Sequence, residues 1–185
     1  MNAMLPPPGV GPMPVLETAR LLLRPYATHD IDAMAAMFAD PEVTAFTFLG
    51  RRDRQQTQAV MNEYTAFLAE NGWGMLAMLD RTSEAYLGEV GLFISPMGDV
   101  ALRYALARAG WNKGFATEAS AAVLDDAFGR LRLGRVMAGV KPENGPSLRV
   151  MDKLGFVYES EITTHGHTFG VFGLTAEAWA ARARK

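Results

Sequence analysis

The sequence contains no cysteine. A disulfide framework, a thiolate zinc site and a cysteine nucleophile are therefore excluded, and a reducing cytoplasm is the expected setting. Positive charge is not in excess: 18 Lys and Arg stand against 20 Asp and Glu, a formal net charge of -2 with a pI near 5.9. Nucleic-acid binders neutralise phosphates with Lys and Arg, so neither DNA nor RNA is an expected partner. No apolar run approaches the roughly 20 residues that span a bilayer, and no membrane partner is expected either. Neither the dinucleotide fingerprint G-x-G-x-x-G nor the P-loop G-x-x-x-x-G-K-[ST] occurs, and no internal repeat is visible.

About half of the 185 residues are hydrophobic and about a fifth charged, the profile of a globular protein with its own core. Residues 1–14 are rich in proline and glycine and lack the basic start and apolar stretch of a signal peptide, so a flexible tail is expected there, followed by a single domain over 15–185. Ala19–Arg24 reads as a strand stopped by Pro25. Ile31, Met34, Met37 and Phe38 share one helical face, with Asp30 as N-cap and Pro41 just past the end. Asp53–Glu70 is a second helix with Val60, Tyr64, Phe67 and Leu68 as its stripe, stopped at Asn71-Gly72. Strands over 74–79, 86–94 and 100–107 are joined by the short turns R-T-S-E and P-M-G-D, which implies antiparallel neighbours.

A helix from Thr117 to about Leu131, ended by Gly134, leads into the strand R-V-M-A-G-V. A short helix over Ser147–Leu154 closes at Gly155. Strands over 156–163 and 168–174 and a final helical T-A-E-A-W-A-A-R complete the chain. The order predicts an α/β (α+β) fold with a mixed, mostly antiparallel sheet. The strand 100–107, helix, strand 135–140 unit is a crossover that lets those two strands lie parallel and adjacent.

Residues 111–118, W-N-K-G-F-A-T-E, place Gly114 and Ala116 at the front of a helix. The first N–H groups of a helix have no internal partner and its dipole favours negative charge, so a phosphate can bind where side chains are absent. Lys113 adds a formal charge. The competing reading is a glycine present for backbone conformation alone.

Together with K-P-E-N-G-P-S-L-R-V-M-D-K-L-G-F some thirty residues on, this stretch resembles the GNAT superfamily of acetyl-CoA-dependent N-acetyltransferases. The group containing the ribosomal-protein N-terminal acetyltransferases of the RimJ/RimL type is the nearer likeness. L-E-T-A-R-L-L-L-R-P-Y, D-P-E-V and L-G-E-V-G-L fit the same group, and the resemblance runs from about Leu16 to Trp179. It implies the GNAT fold, with the sheet splayed between the two parallel strands and helices on both faces. It also implies acetyl-CoA as cosubstrate, without a metal, and transfer to a primary amine, either a protein N-terminus or a small amine. The pyrophosphate loop Q/R-x-x-G-x-G/A maps onto Trp111, Asn112, Lys113, Gly114, Phe115 and Ala116. Trp111 replaces the Gln or Arg, and Asn112 stands where this group often has glycine. By the same resemblance, N–H groups up to Thr117 hold the pyrophosphate, and the pantetheine arm pairs with backbone at Tyr104, Ala105 and Leu106.

Acetyl transfer needs a deprotonated amine, a polarised thioester carbonyl and a proton for the departing thiolate. The resemblance makes Ser147 the candidate acid; the alternative is a serine that only satisfies a helix N-terminus. Asn144 either caps that helix or bonds the pantetheine. Glu89, between Gly88 and Gly91, is the candidate base and an acceptor-site residue; the alternative is an outward-facing charge on a half-exposed sheet. Glu118, in a helix's first turn, reads better as a dipole or capping partner. Phe46 and Phe48 are core residues or walls of an acceptor pocket. Arg51, Arg52, Asp53 and Arg54 form either a solvated helix entry, the default, or a substrate-facing patch. His165 and His167 are too few for a metal and read as surface turn residues, the alternative being a loop at the edge of the acceptor site. A catalytically silent acetyl-CoA sensor or interaction module with the same fold is the rival function, and monomer and homodimer are equally open.

Overall fold

The computed structural model describes Gly11 and residues 13–47, 50–164 and 166–182. Most of the expected tail lies outside the described residues, and Met13 is half-buried against the core. The first expected strand is two. β1 (Leu16–Glu17) turns back through Thr18–Arg20 onto β2 (Leu21–Arg24), because the Thr18 hydroxyl accepts the Leu21 N–H at 2.9 Å.

Helix α1 (Ile31–Ala39) buries Ile31, Met34, Met37 and Phe38, the face read from their spacing. Asp30 precedes it but does not cap it: its carboxylate turns back to Arg24 and to the Ala27 N–H. Pro41 lies just past the end of α1, as expected, and it also opens a further short helix, α2 (Pro41–Thr44), for which Asp40 accepts the Glu42 N–H at 3.0 Å. Helix α3 (Arg54–Asn71) begins with a capping box, Asp53 and Gln56 each accepting the other's N–H, and ends at left-handed Gly72.

The meander follows as β3 (Met75–Asp80), β4 (Tyr86–Ile94) and β5 (Val100–Leu106), then α4 (Phe115–Gly129), β6 (Arg135–Val140), α5 (Gly145–Leu154), β7 (Val157–Thr164), β8 (His167–Thr175) and α6 (Ala176–Arg182). Helix α4 starts two residues earlier than its periodicity predicts, since the left-handed turn at Gly114 lets Phe115 enter the first turn and still pack on the core. It also stops before Gly134, where the chain turns through Arg132 with φ 53° and folds Leu131 and Leu133 inward.

Among the described residues eight strands form one sheet, ordered β1-β2-β3-β4-β5-β6-β8-β7, in which β5 and β6 are parallel and the other neighbours antiparallel. Alternating side chains serve two cores. Leu76, Met78, Val90 and Leu102 meet Val123, Leu124 and Ala127 of α4, and Met151 and Leu154 of α5 join them. Ala77, Leu79 and Ala105 meet α1 and Met61 of α3 on the opposite face.

The β3–β4 register shifts between Met78 and Leu79, where Gly88 has φ 151°. A Cβ on Gly88 would stand 2.2 Å from the Ala105 carbonyl oxygen, and one on Gly91 2.2 Å from that of Gly74. Both flank Glu89 and draw the neighbouring strands in around it. Gly91→Ala is expected to overpack this contact and destabilise the fold by about 1–3 kcal/mol. The measurement is a urea melt, read as a lower midpoint at unchanged slope; a wild-type midpoint would contradict the close approach.

Candidate active site

Strands β5 and β6 pair at Ala101 and Met137 and then diverge. The gap is a cleft of about 520 Å³ that passes through the sheet. One end is bounded by the turn before α4 and by α5, the other by α1, the loop after α2 and the side chains of Glu89, Phe93 and Arg103. Because Ala107 donates its N–H to Leu87, ladder alternation turns the N–H and C=O groups of Tyr104 and Leu106 away from β4, into the gap. The Leu106 carbonyl is already used: the Trp111 indole donates to it at 2.8 Å.

At the α4 end, Asn112 and Gly114 are both left-handed, with φ 58° and 80°. Asparagine is among the few side chains that tolerate this conformation, so Asn112 does here what glycine would. A Cβ on Gly114 would meet only Arg20 Nη2, at 3.5 Å; backbone conformation, not crowding, calls for glycine. The first helical bond runs from the Glu118 N–H to the Gly114 carbonyl at 3.1 Å, which leaves the N–H groups of 115–117 without partners inside the helix. Glu118 itself points away from the cleft, accepting from the Thr18 hydroxyl at 2.6 Å and from Arg20 Nε at 2.7 Å. Burial works against its charge, but these donors outweigh it and hold its carboxyl below the usual range. Arg20 also donates to the Lys113 carbonyl at 2.9 Å, which pins the turn from behind.

Across the splay, the Tyr104 hydroxyl donates to Ser147 Oγ at 2.9 Å. Burial pushes the Tyr104 phenol up to about 12. Asn144 is the cap of α5, accepting the Ser147 N–H at 3.1 Å, so the Ser147 hydroxyl is not consumed by the helix end.

Glu89 is 1% exposed, not an outward-facing charge. It accepts from the Tyr26 hydroxyl at 3.0 Å and from Arg103 Nη2 at 3.1 Å. Arg103 also donates to Tyr64, and the Tyr26 and Tyr86 hydroxyls lie 3.3 Å apart. Burial, reinforced by the Glu89 charge, holds the Tyr26 and Tyr86 phenols well above their usual value. Tyr26 is aimed by a neighbouring pair. Asp30 accepts Arg24 through both oxygens, at 2.7 and 2.9 Å, and takes the Ala27 N–H at 2.7 Å.

The cleft gathers most of the residues singled out from sequence: Tyr104, Ala105 and Leu106; Trp111, Asn112 and Gly114; Phe115, Ala116 and Thr117; Asn144 and Ser147; Phe46 and Glu89. Lys113 is exposed and does not line it. Phe48 and His165 lie outside the described residues, and His167 is exposed with its ring against Phe169. The solvated reading fails for Arg52, which is 8% exposed, lies over the Phe38 ring at 4.5 Å and lines the cleft, while Arg51 and Arg54 are exposed. Sequence reasoning missed Arg103 and the tyrosines Tyr26, Tyr64 and Tyr86 around it and Glu89, together with Arg149 and Lys153 on the α5 side of the cleft. A signal for Arg103 existed: V-A-L-R-Y-A-L puts an arginine in a strand otherwise fit to be buried on both faces.

Residues 20–157 match the acetyltransferase (GNAT) domain family. The uncharacterized N-acetyltransferase p20 of Bacillus licheniformis is 30% identical over 80% of this chain and 84% of its own. Among solved structures, an acetyltransferase from Agrobacterium tumefaciens superposes with TM-score 0.78 at 26% identity, covering 89% of this chain and 95% of that one. RimJ of Mycobacterium smegmatis, solved with CoA-disulfide, superposes with TM-score 0.69 at 21% identity over 89% and 90% of the two chains.

The Arg24–Asp30 pair sets a pH dependence. Burial opposes the Asp30 charge, yet Arg24 and the Ala27 N–H hold its carboxyl below the usual range. A carboxyl with a depressed folded-state pKa contributes stability above its unfolded value of about 3.9, and that contribution is lost as pH falls through the folded value. Asp30→Asn is therefore expected to cost about 1–3 kcal/mol at pH 7. Its melting temperature should converge on wild type below about pH 4; a gap that persists into acid would contradict the assignment.

Proposed function

The chain belongs to the GNAT acetyltransferase family, and we propose that it transfers an acetyl group from acetyl-CoA to a primary amine by direct attack in a ternary complex. The observation that carries this reading is the gap between β5 and β6, open to both faces and ending at the left-handed turn before α4. The residues fit the cosubstrate. The free N–H groups of 115–117, with Arg149 and Lys153 nearby, suit phosphates, and the unpaired edge of β5 at Tyr104 and Leu106 suits an amide-bearing arm.

Acetyl-CoA supplies a thioester whose carbonyl the amine attacks. The Leu106 N–H, turned into the gap, polarises that carbonyl. Glu89 takes the proton from the ammonium, directly or through a water, so the nitrogen lone pair can form the new N–C bond. As the C–S bond breaks, its electron pair leaves on sulfur and Ser147 protonates it. Tyr104, kept protonated at neutral pH, resupplies Ser147 along their hydrogen bond. The second proton that the nitrogen sheds once the N–C bond has formed passes through water to Tyr104 and restores its phenol, and Glu89 returns its own proton to solvent as the products leave. Asn112 already adopts the conformation glycine would, so the substitution there gives no ground for the silent-sensor reading.

Acetyl-CoA at a hundredfold excess over its Kd is expected to stabilise the protein by about 2.7 kcal/mol, read by thermal shift. Thr117→Glu tests the site. A glutamate in a helix's first turn suits the dipole, so the free protein should melt as wild type does while the acetyl-CoA shift disappears. Absence of any shift in the wild-type protein would overturn the proposal. Thiol release, free of background because the chain has no cysteine, should accompany amine acetylation. Tyr104→Phe should lower kcat by about 10- to 100-fold, and an unchanged kcat would remove Tyr104 from the proton path.

A further inference from the structure

Two guanidinium N–H groups buried in the cleft have no hydrogen-bond partner, Arg52 Nη1 and Arg103 Nε. Arg52 is the more telling. Its side chain forms no ion pair with any described residue, and it rests on Phe38 with its backbone N–H donated to the Phe38 carbonyl at 3.1 Å. Arg103 is half-satisfied, since its Nη2 serves Glu89 and Tyr64. The two charges act on the same region: both pull the Tyr64 phenol down against the larger upward push of burial and the Glu89 charge.

The acceptor end of the cleft thus holds one buried cation, Arg52, a half-buried one, Arg103, and one buried anion, Glu89. A buried, unpaired charge is costly and is found where something supplies its partner. Within the cleft a ligand can supply that partner. Planar guanidinium matches a carboxylate, which accepts through two oxygens and leaves no donor behind. Glu89, the fixed carboxylate at the same end, suits an ammonium.

We infer that the acceptor is a small aminocarboxylate, an amino acid or a close analogue, whose carboxylate pairs with Arg52 and Arg103 while its amine lies towards Glu89. This rests on the acetyltransferase reading above and names its substrate class. A polyamine would set a second cation against the two arginines. A peptide N-terminus brings the amine but, in place of the carboxylate, an uncharged amide that leaves Arg52 uncompensated.

The test compares a panel of free amino acids with their carboxamides and with the corresponding decarboxylated amines, following thiol release from acetyl-CoA. At least one amino acid is expected to exceed its own carboxamide in kcat/KM by about 100-fold or more, the order that loss of a charge-assisted hydrogen bond gives. In Arg52→Gln that ratio should collapse towards one, chiefly through KM, and Arg52→Lys should restore part of it. The acetyl-CoA thermal shift, run on each protein, reports whether the fold and the cofactor end are intact. Carboxamides or decarboxylated amines that match or outrun the acids would overturn the inference, as would an unchanged ratio in Arg52→Gln. A protein that acetyl-CoA stabilises but that acetylates no aminocarboxylate overturns it too, while the cofactor assignment stands. Absence of the shift itself is failure of the earlier reading, and the inference falls with it.

Discussion

Two parallel strands that begin as partners and then part are the constraint on which the site depends. Up to Ala101 and Met137 the sheet is continuous; beyond them β5 keeps its ladder to β4 and β6 keeps its ladder to β8. Each half is therefore anchored by an antiparallel neighbour, and the separation costs only the few bonds the two strands would have shared. What it opens is a row of backbone donors and acceptors lining an interior gap, at a place where a sheet normally conceals them. Tyr104 reaching to Ser147 bridges this opening on one face, and Arg103 and Glu89 flank it on the other.

The charged residues near the gap obey a consistent logic. Glu89 is sealed in, but it is matched by a guanidinium and a phenol, and the phenol is in turn aimed by the Arg24–Asp30 pair. Such a chain of partners holds a carboxylate at a fixed position in a low-dielectric site, where its influence on a ligand is least screened. Gly88 and Gly91 make this possible, because their missing side chains let β5 and the Gly74 carbonyl close in on either side of Glu89.

Much of this was legible from residues alone. Periodicity located the helices, short turns gave the antiparallel meander, and the crossover from strand 100–107 to strand 135–140 was visible in the spacing. The W-N-K-G-F-A-T-E turn and the N-x-x-S of Asn144 and Ser147 marked both walls of the cleft. What escaped was whatever depends on partners distant in the chain. Asp30 has the look of a helix cap, yet an arginine six residues earlier claims its carboxylate. Arg52 sits in a run of charges that local reasoning assigns to solvent, but a phenylalanine fourteen residues back provides the face it lies on. Glu89 and Arg103 belong to adjacent strands, and only the register that sets Glu89 opposite Ala105 brings their charges together. Local patterns report backbone preferences; charge pairing inside a sheet is decided by register.

The order of the turn before α4 is borrowed from elsewhere. Thr18 and Arg20, in the hairpin that opens the fold, hold Glu118 and the Lys113 carbonyl across sequence separations of 93 to 100 residues. The turn's shape and the integrity of that first hairpin are therefore one equilibrium. Linkage is reciprocal, so whatever engages the N–H groups at the start of α4 also steadies β1 and β2 against fraying. Occupancy of that turn would thereby be written into amide protection in β1 and β2, at the edge of the sheet.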